Sequence, residues 1–373
     1  MKKINPFKPN SPVSTGMFAG RINEIKLLEQ ALYQTKHDQP SNFLITGERG
    51  IGKSSLMMIL KDFSSGTFET LDHGKFNFLT INIVISERMS LLTFIKLIER
   101  NIKRELGKVE AIRSFMNSTW DFVQRIKIMD SGIDQLNVTE DSDLVINDFS
   151  YSLSETCKRI INPEKGEDKK DGIVFIIDEA DNACDDLHIG YFFKVVTELL
   201  QQNGCNNIMF IVVGLPEISS KLAKSHESSL RIFNHIRVKE LNPTDRFYVI
   251  DKGMEEGNRI NDEKTSISED AKRHISTLSE GYPHFIQQFA HTAFEYNSDG
   301  EISAEDVLEG AFKDGGAIDA IGSRYYASDF HSKIKSDEYR QVLGIMAESM
   351  NEWIKKVTLE KSLLDLIRLL LML

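Results

Sequence analysis

The stretch "FLITGERGIGKSSLM", Phe43 to Met57, decides how this chain is read. An apolar run leads into a turn with three glycines and a lysine, then two serines and more apolar residues. The flanking runs predict a buried strand before the turn and a buried helix after it. Glycines let successive backbone N–H groups point at one centre, which a side chain would obstruct. The helix N-terminus beneath adds partial positive charge. Gly47-Glu48-Arg49-Gly50-Ile51-Gly52-Lys53-Ser54 fits G-x-x-x-x-G-K-[ST] at every position. The turn therefore reads as a cradle for a nucleotide's phosphate chain, formed by Gly47, Gly50, Ile51, Gly52 and Ser55. Lys53 would reach the β- and γ-phosphates, and the Ser54 hydroxyl would bind Mg²⁺. The competing reading is a chance match in a Gly-containing turn. It leaves the strand before and the helix after unexplained. Glu48 and Arg49 read as solvent-facing.

A loop that binds phosphate needs a group to hold the metal and one to activate water. "IVFIIDEAD", Ile173 to Asp181, supplies both. Five apolar residues end in Asp178-Glu179, which places Asp178 at the carboxyl edge of a sheet, where such folds bind ligands. Asp178 would hold the Mg²⁺ shell. Glu179 would orient and deprotonate the attacking water. The competing reading is a helix N-cap, since Asp and Glu also favour helix starts. Asp181 could cap the following helix and needs no catalytic role.

The 373 residues suit two or three domains. A net charge of −11 argues against a protein that coats nucleic acid generally, while leaving room for a local basic patch. Cys157, Cys184 and Cys205 have no metal-type spacing and point to a reducing compartment. No apolar run reaches the length of a membrane span, and the N-terminus lacks a signal-type core, so a cytoplasmic protein is expected.

Around the phosphate turn the pattern alternates. A helix is expected over 22–36, and strands over 42–46, 76–86, 172–178, 207–214 and, more weakly, 235–241. Apolar runs without polar alternation suit strands covered on both faces, and so a parallel sheet between helices. The alternating stretch near 118–138, with its Asp-Ser-Gly turn, reads as an inserted hairpin. After residue 242 the pattern is helical.

With both motifs placed, the chain resembles an AAA+ P-loop ATPase. It is most similar to the origin-recognition-like and archaeal branch related to the signal-transducing (STAND) ATPases. The likeness covers roughly residues 17–300. "MFAGRINEI" resembles the F-x-G-R-x-x-E segment, which implies that Phe18, Gly20 and Arg21 pack on the adenine and ribose side. "EGYPHFIQQ" resembles the G-x-P element of the lid, which implies that Pro283 faces the nucleotide. Most such lids present an arginine here; this chain offers His284 and Gln287. The family's fourth strand ends in a polar residue that senses the γ-phosphate, whereas "VVGLPEI" offers Gly214, Pro216 and Glu217. "SSLRIFNHIRV" lies where the family carries an arginine finger, which implies Arg231, or next Arg237, acting on a neighbouring subunit's ATP.

The resemblance implies an α/β fold: a P-loop parallel sheet flanked by helices, an all-helical lid and a C-terminal helical, partly winged-helix module. The expected divisions are an extended arm over 1–16, the core over 17–241, the lid over 242–300 and the C-terminal module over 301–373. The wing hairpin is hard to find, because "EWIKKVTLEKSLLDLIRLLLML" reads as helical. The leading expectation is a Mg²⁺-dependent, ATP-hydrolysing molecular switch that acts as a homo-oligomer or on a partner protein, cycling between ATP and ADP. A DNA-binding loader or transposition-type regulator is the second reading. It needs a basic surface and a competent winged helix, and the sequence is weak on both: the one basic helix face, "IKLIERNIKREL" at 95–106, is of a kind usually just solvated. A nucleotide-binding scaffold with negligible turnover is the third. No membrane partner is expected.

Overall fold

A computed structural model describes residues 3–11, 18–107, 110–123, 138–165 and 167–327, with isolated positions 336, 340 and 344. The centre of the expected hairpin and nearly all of the C-terminal stretch assigned to a winged helix lie outside the described residues.

The chain divides into two compact units. The first comprises Asn10–Lys252 together with Glu280–His284. Its helix α1 is Ile22–Lys36, its strand β1 is Asn42–Thr46, and its helix α2 is Lys53–Ser64. β2 (Leu79–Val84) and α3 (Leu91–Leu106) follow, then α4 (Glu110–Thr119) and α5 (Val138–Ile161). β3 (Ile173–Asp178), α6 (Ile189–Gln202), β4 (Ile208–Gly214), α7 (Ile218–Ser225) and β5 (Phe233–Arg237) complete the layer. The five strands form one parallel sheet in the order β2-β3-β4-β1-β5. The residues on either side of the hairpin's centre are the helices α4 and α5.

The apolar runs serve both faces of this sheet, because side chains alternate along a strand. Ile173, Phe175 and Ile177 face one core and Val174 and Ile176 the other. Ile208, Phe210 and Val212 join the first, Met209, Ile211 and Val213 the second. The first core packs α3, α4, α5, α6 and α7 and is rich in rings. Phe94, Trp120, Phe149, Phe192 and Phe193 are fully buried there, and Phe175 stacks on Phe210 at 5.2 Å. The second packs α1 and α2. The two edge strands are less covered: β2 alternates, with Asn82 and Val84 exposed, and β5 exposes Asn234, His235 and Arg237.

The second unit comprises Met1–Pro9, Gly253–Ser279 and Phe285–Leu373. α8 (Pro243–Ile260) enters it, and the Asn242 side chain caps that helix by accepting from the Asp245 N–H at 2.9 Å. α9 (Glu269–Leu278), most of α10 (Pro283–Tyr296) and α11 (Ala304–Phe312) follow. Ser266–Ile267 and Glu301–Ile302 pair as a short parallel ladder. The N-terminal segment is extended, and it is built into this unit. The Ile4 N–H donates to Asn261 Oδ1 at 2.7 Å and the Lys8 N–H to Gln287 Oε1 at 2.9 Å. Phe7 is 2% exposed. Gly253 and Gly257, one turn apart on α8, make room for it. A Cβ at Gly253 would lie 2.1 Å from Phe7 Cε1, and one at Gly257 2.9 Å from Pro6 Cγ.

Candidate nucleotide site

The site forms at the carboxyl ends of β1, β3 and β4. β1 runs straight into the turn, and α2 starts at Lys53. Gly50 and Gly52 have φ of 76° and 100°, the left-handed region that a side chain disfavours. The Gly47 N–H donates to the Gly214 carbonyl at 3.3 Å, which ties the root of the turn to the end of β4. A Cβ at Gly47 would lie 2.9 Å from Ile51 Cγ2 and 3.0 Å from the Val238 carbonyl oxygen. The Lys53 ammonium is folded back on the turn, donating to the Gly47 carbonyl at 2.6 Å and the Glu48 carbonyl at 2.9 Å. Burial lowers its pKa, against the opposing charges of Asp178, Asp181 and Glu48. Ser54 is exposed at the helix start and Ser55 is buried.

Asp178 ends β3, beside Val84 of β2. Burial raises its carboxyl pKa, opposed by the Glu179 N–H at 2.8 Å and by the Lys53 charge. Glu179 is exposed in a left-handed conformation, φ 53°. For a residue other than glycine that geometry costs of order 1 kcal/mol and turns the side chain out of the strand line. Asn182 Nδ2 reaches Glu179 Oε2 at 3.3 Å and the Ile85 carbonyl at 3.2 Å. Asp181 does not cap a helix of its own. Its Oδ1 accepts from the Leu215 N–H, at the end of β4, at 2.8 Å.

Arg21 also sits at φ 62°, as the residue before α1. Its side chain is only 8% exposed. The guanidinium donates to the Ile51 carbonyl at 3.2 Å and to the Lys239 carbonyl. Arg21 thus holds the phosphate turn against the exit of β5. Burial lowers its pKa, opposed by Glu24, Asp245 and Glu240. Gly20, φ 67°, leaves no room for a side chain, since a Cβ would lie 2.7 Å from Asp245 Oδ2. Phe18 lines a narrow cleft with Ile51, Gly52, Leu241, Val249 and Pro283. Pro283 Cγ lies 3.6 Å from where a Gly52 Cβ would be, and the His284 N–H donates to the Gly50 carbonyl at 3.3 Å. The expected cradle, carboxylates and apolar side all converge. Arg231 does not join them: it is exposed on the short 3-10 turn Ser229–Ile232, and Arg237 is exposed on β5.

Sequence reasoning missed Leu241, Val249, Arg246 and Lys221. Arg246 Nε donates to the Leu241 carbonyl at 2.8 Å, and Lys221 Nζ donates to the carbonyls of Asp181 and Ala183. Long side chains that cap distant carbonyls leave no periodic signal.

Residues 17–189 match the AAA ATPase domain, so the chain carries a domain of that class. The fold is that of the origin-recognition-like AAA+ ATPases. Two solved structures of the Aeropyrum pernix ORC2 protein share it. The ADP form has a TM-score of 0.51 and 15% identity, covering 96% of this chain and 82% of that one. The structure described as ADPNP-ADP complexes has a TM-score of 0.50 and 14% identity, covering 98% and 83%. A curated relative, the uncharacterized HTH-type transcriptional regulator MJ0774 of Methanocaldococcus jannaschii, is 24% identical over 229 residues. Those cover 60% of this chain, which spans about half of that protein's length, 49%. Among the described residues no helix is long and apolar enough to cross a membrane.

Proposed function

We propose that this ATP-binding AAA+ protein hydrolyses ATP and acts as a switch, its nucleotide state controlling self-assembly or engagement of a partner protein. One observation carries the reading. The half-buried Lys53 ammonium, folded onto the Gly47 and Glu48 carbonyls of the glycine turn, shares the carboxyl edge of the sheet with the half-buried Asp178 carboxylate, with Glu179 beside them. Phosphate oxygens would replace the Gly47 and Glu48 carbonyls as acceptors for Lys53. The N–H groups of residues 50–54 would complete the cradle. Adenine would enter the cleft beside Phe18, Gly20 and Pro283, its walls steadied by Arg21.

Among the described residues no three His, Cys, Asp or Glu side chains group to hold a metal unaided. The exposed Ser54 hydroxyl and the Asp178 carboxylate suit Mg²⁺ shared with phosphate oxygens. Bound there, the ion would neutralise charge on the β- and γ-oxygens. Glu179 would take a proton from water as its oxygen bonds to the γ-phosphorus and the bond to the β-bridging oxygen breaks, leaving ADP and phosphate. Arg231, exposed, would serve a neighbouring subunit's ATP as a finger. Residues 17–241 are the catalytic core in this reading, 242–300 the lid and 301–373 the C-terminal module.

Phosphate release by the native chain and by Glu179→Gln tests hydrolysis. The native protein is expected to turn over and the variant to bind ATP without turnover; equal rates would refute it. Size-exclusion profiles with ATP, ADP and no nucleotide test the switch, and three identical profiles would count against it.

A further inference from the structure

Asp181 lies three residues beyond Asp178, on the 3-10 turn Ala180–Asn182 that leaves β3. Yet its carboxylate is delivered to the next strand. Oδ1 is fixed by the Leu215 N–H at 2.8 Å, while Oδ2 accepts from no described residue. The carboxylate fills the space in which a side chain from the end of β4 would sit. A Cβ at Gly214 would lie 2.7 Å from Asp181 Oδ1 and 3.1 Å from the Asp181 nitrogen. Glycine at 214 and aspartate at 181 are therefore two halves of one arrangement. Lys221 locks the turn by donating to the carbonyls of Asp181 and Ala183. The same Gly214 carbonyl receives the Gly47 N–H at 3.3 Å, and Lys53 Nζ lies 2.6 Å from the Gly47 carbonyl. Asp181 thus stands at the root of the phosphate turn, half-buried, with one oxygen committed to Leu215 and the other accepting from no described residue.

We propose that Asp181 is a positioning residue for hydrolysis: its open Oδ2 accepts a hydrogen bond from the attacking water at the end of β4, and its charge opposes the terminal phosphate. The role follows from chemistry. A carboxylate held by a backbone N–H can only accept, so it orients water and repels phosphate; an amide would do the reverse. The residue takes no proton, and Glu179 remains the base. This inference rests on the ATPase reading above.

Asp181→Asn keeps Oδ1 for Leu215 and turns the open acceptor into a donor. Turnover is expected to fall about ten- to hundredfold, the worth of one hydrogen bond to a charged group. The ratio of ATP to ADP affinity, read by displacement of a fluorescent nucleotide, is expected to rise by about tenfold on the same scale. A merely structural residue would lower affinity and turnover together. Asp181→Ala should lose turnover, and adding Gly214→Asp should restore part of it by presenting a carboxylate from the opposite wall. Native turnover in Asp181→Asn, or an unchanged affinity ratio, overturns the proposal. If the native chain itself releases no more phosphate than Glu179→Gln, the ATPase reading fails; the affinity ratio then still decides the placement of Asp181.

Discussion

The pairing of Phe7 with Gly253 makes a prediction whose sign can be worked out. Phe7 is 2% exposed, so Phe7→Ala should destabilise its unit by about 3–5 kcal/mol, the usual cost of emptying a buried aromatic site. Gly253→Ala alone has two opposed effects. The added methyl would lie 2.1 Å from Cε1 and 2.7 Å from Cζ of the ring. Overpacking of that kind costs about 1–3 kcal/mol. Alanine inside a helix regains about 1 kcal/mol over glycine. The net for the single variant is a loss of roughly 0–2 kcal/mol. With Phe7→Ala present the clash is gone, and Gly253→Ala should stabilise by about 1 kcal/mol. The same substitution therefore changes sign with its background, a coupling of about 1–3 kcal/mol. Urea unfolding of the four proteins, followed by hydrogen exchange in peptides from 253–279, measures it. Gly253→Ala costing the same in both backgrounds, or Phe7→Ala leaving those peptides unchanged, would refute the packing of the N-terminal segment.

Three further outcomes are expected. Asp178→Asn should raise the unfolding midpoint of the nucleotide-free protein. Burial raises the Asp178 pKa, so between its ordinary and raised values the folded state holds more protons than the unfolded one. The native protein should accordingly gain stability as pH falls through that window, and the variant's pH profile should be flatter there; the same slope in both would refute it. Arg21→Lys keeps the charge but not the fork that holds the Ile51 and Lys239 carbonyls. Its ATP affinity, titrated with a fluorescent analogue, should fall by about tenfold, and native affinity would show that Arg21 does not hold the turn. Arg231→Ala should bind ATP normally yet lose turnover, and mixing it with Glu179→Gln subunits should restore phosphate release if the finger acts on a neighbour; no restoration at any mixing ratio would sink that role.

The nucleotide cradle was legible because its parts are contiguous. Gly47 to Ser54 is one turn, and Asp178-Glu179 ends one apolar run. The central strands were legible because both faces are covered, so β3 and β4 show unbroken apolar runs. Elsewhere the determinants are far apart in the chain. Asp181 bonds Leu215 across a separation of 34 residues, and Arg21 bonds Lys239 across 218. Neither separation follows a helix or strand period, so no local pattern reports it. The N-terminal segment read as an arm because its Pro and Asn residues deny it regular structure. Its anchors are Asn261, Gln287 and α8, where Gly253 and Gly257 look like helix breakers until Phe7 and Pro6 are placed against them.

That anchoring constrains how the protein is made. Phe7 leaves the ribosome long before the helix it packs against, since Gly253 follows 246 residues later (253 − 7). At ordinary synthesis rates of about 5–20 residues per second that is a wait of roughly 12–50 s. During that interval Phe7, between Pro6 and Lys8, is an exposed apolar tag on the nascent chain, available to a chaperone. The sheet domain can close behind it, so residues made well before the sheet are among the last to find their place.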